Sequence, residues 1–391
     1  MNFLKSHHRI IYALAALLCA AILFAIFAKP AQNHAAEIID ECADTQGERR
    51  AECYEKLVPA LYPKLSPEDV FSIIRDIRTQ DGSYQFCHVL AHKVGERVVA
   101  EDPAKWLDAI PVNPPDGLCS NGFIHGVVTE RFRAEVLDEK TLTKLIPDFA
   151  RACEPRNSWD PTDLDKAMCY HGLGHLYDFI TNADIPRALD LCSKTAGTQF
   201  QRVCIEGVFM QIFQPLEPDD FALIEQMKNK PTAENVRTFC SGYREPEYVG
   251  ACLRESWPLH PGMTDGSGII GLCKNQPNAE EEHNCYQAAL AILGRQSQAS
   301  IPSLLEACTR IPKEWRQMCY VVGAGTFIEE DRVSGSAKAV LVCTGAEEEY
   351  RDQCILALID RMRFNFGSHT DEARNFCESL PSGYRSLCPI P

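Results

Sequence analysis

The chain is 391 residues long, 45% apolar and 24% charged, the composition of a folded globular protein, which excludes a collagen-like or low-complexity chain. A formal charge of -15 and a pI near 5.2 exclude a phosphate-tracking surface, because such surfaces are built from clustered Lys and Arg. No nucleic-acid partner is expected.

Residues 1–9 carry Lys5 and Arg9, and a run without any charge follows from Ile10 to Ala28. The run approaches the ~20 residues that span a bilayer and exceeds the ~7–15 residues of a cleaved signal peptide's apolar segment. It reads as a transmembrane signal-anchor at 10–28, with 1–9 kept cytoplasmic by the positive-inside tendency and 29–41 as a linker on the far side. The membrane is then one partner, and the rest of the chain is periplasmic or extracellular.

Cysteine usage agrees with an oxidising compartment. Setting aside Cys19 inside the apolar run leaves an even set, with no CxxC to signal a zinc ribbon or a redox motif. Most of the set falls into close couples: Cys42 with Cys53, Cys153 with Cys169, Cys192 with Cys204, Cys240 with Cys252, Cys273 with Cys285, Cys308 with Cys319, Cys343 with Cys354 and Cys377 with Cys388. Each couple reads as a disulfide closing a loop of roughly a dozen residues, worth about 3 kcal/mol by the chain-entropy account.

After the first couple, "SPEDVFSIIRDIR" predicts a capped helix: Ser66 as N-cap, Pro67 in the first turn, Glu68 and Asp69 at the positive end of the dipole. Cys87 and Cys119 have no near partner upstream and pair with each other by elimination, across the Pro-rich "IPVNPPDG".

Histidines follow these early cysteines on predicted helices. "CHVLAHKVGE" lines His88, His92 and Glu96 along one face, and "CYHGLGHLYD" does the same with His171 and His175, three residues before Asp178. Counted from the preceding cysteine, Asn121, His171 and Glu206 fall at plus two, while His125 and His175 fall at plus six. Stacked in register, these positions are expected to converge. Gly126, Gly172 and Gly174 beside them imply that a helix or a substrate approaches the backbone closely.

Helical histidines one turn apart chelate metal ions, so His88, His92, His125, His171 and His175 are the candidate ligands, for Zn or Cu. Asn121 and Asp178 are expected to orient the imidazoles, and Glu96 or Glu206 to act as the base. There is no HExxH, GxSxG or GxxxxGK[ST], so zincin, serine-hydrolase and P-loop chemistry lack their signatures.

Later in the chain "LLEACTRIPKEWRQMCYVVGAG", "AVLVCTGAEEEYRDQCILAL" and "ARNFCESLPSGYRSLC" repeat one text. A fixed period of this size signals stacked units. Phe200, Tyr248, Trp315, Tyr350 and Tyr384 each stand four before a second cysteine, a helical turn that sets the ring beside the bridge. The inferred unit is helix, turn, helix. Such hairpins bury their apolar faces only by stacking, so the expected fold is all-α: a right-handed α-solenoid of disulfide-linked hairpins of about 34 residues. Irregular histidine-containing units are expected over 42–191 and regular ones over 192–391.

From Cys153 to Cys388 this organisation resembles the tetratricopeptide and Sel1-like helical repeats, at the level of architecture and without their "WxxLGxxY" pattern. The resemblance implies stacked hairpins and no particular activity. Two functions are therefore weighed: a metal-dependent hydrolase or oxidoreductase, and a scaffold whose concave face binds a protein or peptide.

Overall fold

The computed structural model describes residues 30–84, 87–132, 136–157, 159–215, 217–263, 267–274, 276–297, 300–367 and 370–388. The expected anchor at 10–28, its flank and Cys19 lie outside these residues. Among the described residues no helix is long and apolar enough to cross a membrane. The regular elements described are all helical, and the β-bridge between Arg156 and Trp159 is isolated. The chain falls into two compact units, Met1–Leu90 and Ala91–Pro391.

In the first unit, α1 (Pro30–Glu41) and α2 (Glu48–Leu57) are joined by the Cys42–Cys53 bridge. α3 (Pro67–Gln80) packs on α1. Ser66 caps α3 as its sequence implies, accepting the Asp69 N–H at 3.2 Å. Val70, Ile73, Ile74 and Ile77 form its buried stripe, spaced as an amphipathic helix requires. α4 (His88–Ala100) opens at the end of this unit and continues into the second.

The second unit holds α5 (Gly122–Phe132), α6 (Glu139–Ala152), α7 (Asp163–Thr181), α8 (Ile185–Thr195), α9 (Gln201–Phe213) and α10 (Pro218–Glu225). They are followed by α11 (Val236–Cys240), α12 (Pro246–Glu255), α13 (Ser267–Cys273), α14 (Ala279–Gln296) and α15 (Ile301–Arg310). The unit ends with α16 (Lys313–Glu330), α17 (Arg332–Gly345), α18 (Glu348–Asp360), α19 (Met362–Phe366) and α20 (Thr370–Ser379).

The expected couples are bonded here too: Cys153–Cys169, Cys192–Cys204, Cys240–Cys252, Cys273–Cys285, Cys308–Cys319, Cys343–Cys354 and Cys377–Cys388. Cys87 of the first unit and Cys119 of the second are each disulfide-bonded. So dense a set of bridges belongs to an oxidising, extracytoplasmic compartment.

The helices that carry the second cysteines, α7, α9, α12, α14, α16 and α18, pack each against the next, with α5 ahead of α7. An aromatic pair recurs along this row. The tyrosine just after one unit's second cysteine meets the ring four before the next unit's: Tyr170 with Phe200, Tyr286 with Trp315, Tyr320 with Tyr350, at centroid separations of 5.4, 4.0 and 5.8 Å. The rings thus join neighbouring units as well as flanking their own bridges, and such pairs add about 0.5–1.5 kcal/mol beyond area burial.

The row is not an open extension. Its late helices return to its beginning, where the buried Arg332 guanidinium donates to Asp165 at 2.7 and 3.2 Å, to Thr162 Oγ1 at 2.9 Å and to the Asn365 carbonyl at 3.1 Å. The Arg332 backbone N–H donates to the Asp116 carbonyl at 3.1 Å, and Ser120 donates to Glu330 at 2.7 Å. The regular units therefore close back on the histidine-bearing helices within this unit.

Candidate metal centre

Close crossings of the helix row bring the histidines together. A Cβ on Gly126 would stand 2.0 Å from the His92 carbonyl oxygen, and one on Gly207 would stand 2.1 Å from that of His171. Only hydrogen fits at either place. The His125 ring occupies the space a side chain on Gly172 would need. What approaches these glycines is the neighbouring helix.

His88 opens α4 in the first unit, and in the second unit the ligand nitrogens of His92 and His125 lie within 4.8 Å of each other. The rings continue from helix to helix. His92 and His125 have centroids 5.3 Å apart, His125 is 5.9 Å from His171 and 5.8 Å from His175, and the last two are separated by 4.9 Å.

Each ring in the second unit has one nitrogen tied to the scaffold. His125 Nε2 donates to the Met168 carbonyl at 2.9 Å, and His171 Nδ1 to the Val203 carbonyl at 3.1 Å. His175 Nδ1 donates to Gln211 Oε1 at 2.7 Å. Gln211 is oriented in turn, since its Nε2 donates to Asp220 Oδ1 at 2.8 Å, and reversing the amide would set two oxygens face to face. His92 Nδ1 lies 3.5 Å from Glu217 Oε1.

These contacts fix tautomers. A carbonyl oxygen only accepts, so His171 and His175 each carry their proton on Nδ1 and present a bare lone pair at Nε2. The two Nε2 atoms face each other at 3.1 Å. Met210 Sδ stands 3.2 Å from His171 Nε2. Both rings are half-buried. Burial, reinforced by His175, lowers the His171 pKa to about 3, and burial lowers that of His175 to about 4. Both are neutral at physiological pH.

A carboxylate pair flanks His92. Lys93 Nζ lies 2.7 Å from Glu217 and 3.1 Å from Glu96. Burial raises the Glu217 pKa, but hydrogen bonding and charge from His92 and Lys93 outweigh it and hold the group at about 2. Glu217 sits there because it precedes α10, whose Asp220 accepts the Glu217 backbone N–H at 2.9 Å.

Three expected residues are placed elsewhere. Glu206 is engaged by Arg254 at 2.8 Å and Arg202 at 3.5 Å, and the buried Arg254 also donates to Glu281, which ties the Glu206 carboxylate into an ion-pair network. Each plus-two side chain reaches toward the next helix of the row: His171 meets α9, and Glu206 meets α12. Asn121 is not on α5; it precedes the helix with φ 57° and accepts from Asn113 Nδ2 at 2.6 Å. Asp178 is fully buried with both carboxylate oxygens lacking a hydrogen-bond partner among the described residues, so Gln211 and Glu217 take the orienting role expected of it.

Burial holds the Asp178 pKa well above the usual carboxylate range. A raised folded pKa favours the protonated form, so its contribution to stability is present below the ordinary carboxylate pKa and is lost as pH rises toward the folded value. Asp178→Asn should flatten that loss. Thermal unfolding at pH 5 and pH 8 is expected to show the wild type falling more than the variant, and parallel curves would show that Asp178 has a partner.

No pattern in the sequence marks Gln211 and Met210, although they end the stretch "CIEGVFMQ". Met210 is at plus six from Cys204, the position that holds His125 and His175 in the preceding units. No protein-family model matches the chain, and no curated protein or solved structure matches it.

Proposed function

We propose that His92, His125, His171 and His175 form a transition-metal centre, and that the protein is a metal-dependent hydrolase or oxidoreductase of an extracytoplasmic compartment, tethered by its N-terminal apolar run. One observation carries this reading: the His171 and His175 lone pairs face each other at 3.1 Å while both ring protons are committed elsewhere. Lone pairs so placed repel, and a cation between them converts the repulsion into two coordinate bonds. With Zn–N distances near 2.0–2.1 Å, such a pair would subtend about 100° at the ion, close to tetrahedral.

Imidazole ligation leaves positions for water or dioxygen, which a bound metal would activate. Outer contacts to a carbonyl, an amide or a carboxylate are what metal-ligating histidines ordinarily make. Glu217 steadies His92, and Lys93 lets Glu217 and Glu96 share one place without like-charge repulsion. Glu96 is the carboxylate we assign to proton transfer.

Elemental analysis of the purified full chain tests the reading. Stoichiometric zinc or copper is expected in the wild type, with most of it missing from His171→Ala/His175→Ala at unchanged helical content. Wild-type protein that holds no metal and takes up none from zinc or copper salts would return the molecule to a scaffold for a protein or peptide.

A further inference from the structure

Two imidazoles are not the whole donor set. Met210 Sδ lies 3.2 Å from His171 Nε2, which itself lies 3.1 Å from His175 Nε2. None of the three atoms has a hydrogen to offer the others: the ring protons go to Val203 and Gln211, and a thioether sulfur carries none. Three lone-pair donors from α7 and α9 face one another.

We infer that His171, His175 and Met210 form a site for monovalent copper, a conclusion that rests on the histidine reading above and adds the identity of the ion. Thioether ligation is soft and selects Cu(I), whereas zinc and divalent copper are well served by imidazole and harder donors. The three donors are neutral, so no ligand anion compensates a second charge, which favours an ion of single charge over a divalent one.

The α7–α9 crossing makes the site possible. Gly207 lets α9 approach the His171 carbonyl, so that Met210, one turn further on, comes level with the rings. The Gln211–Asp220 contact behind His175 fixes the second imidazole from the far side. Positions at plus six from successive second cysteines thus read His125, His175, Met210, a ladder that grows softer along the row.

The test is an anaerobic titration of the full chain with cuprous ion against a competing chelator, beside a parallel titration with zinc. The wild type is expected to bind one Cu(I) at this site, and Met210→Leu to weaken that binding at least tenfold while changing zinc affinity less than about twofold. X-ray absorption of the wild-type Cu(I) complex reads the same contact without any substitution, and a sulfur neighbour beside the nitrogen shell is expected. Copper or zinc held through the histidines, with no sulfur neighbour and no loss in Met210→Leu, would overturn the copper site and leave the histidine centre standing. A wild type that binds neither ion would overturn both.

Discussion

Replacing Arg332 with methionine is expected to lower the unfolding free energy by ~3–5 kcal/mol, read as the shift of a denaturant midpoint with the disulfides intact. The guanidinium is buried at 1% exposure and is shared among Asp165, Thr162 and the Asn365 carbonyl. Methionine matches its length but leaves the Asp165 carboxylate in a protein interior without its counter-ion, and the penalty of an uncompensated charge dominates the loss. Asp165 also caps α7, accepting the Thr162 backbone N–H at 2.9 Å, so the damage falls on the helix that carries His171 and His175. Pairing the change with Asp165→Asn removes the stranded charge while keeping a cap acceptor. The double variant should therefore be more stable than Arg332→Met alone, with a coupling of about 0.5–3 kcal/mol. A single variant within about 1 kcal/mol of wild type would mean that the row does not close through this contact.

That closure is the part of the fold no local pattern could reveal. Arg332 and Asp165 are 167 residues apart, and nothing in the text around either marks it for the other. The bridges were legible for the opposite reason: cysteines 11 or 12 residues apart at a helix–turn–helix leave few other ways to pair. The site lies between these extremes. Phase relative to a cysteine landmark sets His125, His171 and His175 in one ladder, because disulfides and glycine crossings hold adjacent helices in register, whereas His92, at plus five, lies outside that phase and still meets His125. Phase could not say which neighbour a side chain meets. Glu206 shares the plus-two position of His171 yet meets Arg254, because α12 supplies an arginine where α9 supplies a carbonyl. Glu217 was hidden because it belongs to the cap of α10, outside any helical ladder. The glycines beside the histidines mark a close approach, and what approaches is a helix.

Gly207→Ala is expected to separate the proposed metal centre from the fold, weakening metal binding by ~10–100-fold while costing ~1–3 kcal/mol of stability. The added Cβ would fall 2.1 Å from the His171 carbonyl oxygen and 3.2 Å from the Gly174 Cα. Both are backbone positions in the middle of α7, so no side-chain rotation relieves the clash, and α9 must move away. Its Cys192–Cys204 bridge and its buried Val208 and Phe209 keep it docked, which limits the loss of stability. The contacts that matter to the centre are less forgiving. Gln211 reaches His175 across 2.7 Å and Met210 reaches His171 across 3.2 Å, so a displacement of about an ångström removes the hydrogen bond and lengthens the sulfur contact together. His175 then loses the partner that fixes its tautomer, and its proton is free to move to Nε2, where it blocks the lone pair. Gly197→Ala is the control, because a Cβ there meets nothing within 4 Å and should change neither property. Metal content and unfolding midpoint measured on both variants decide the matter. Equal metal retention in the two would show that the α7–α9 crossing does not set the geometry at His171 and His175.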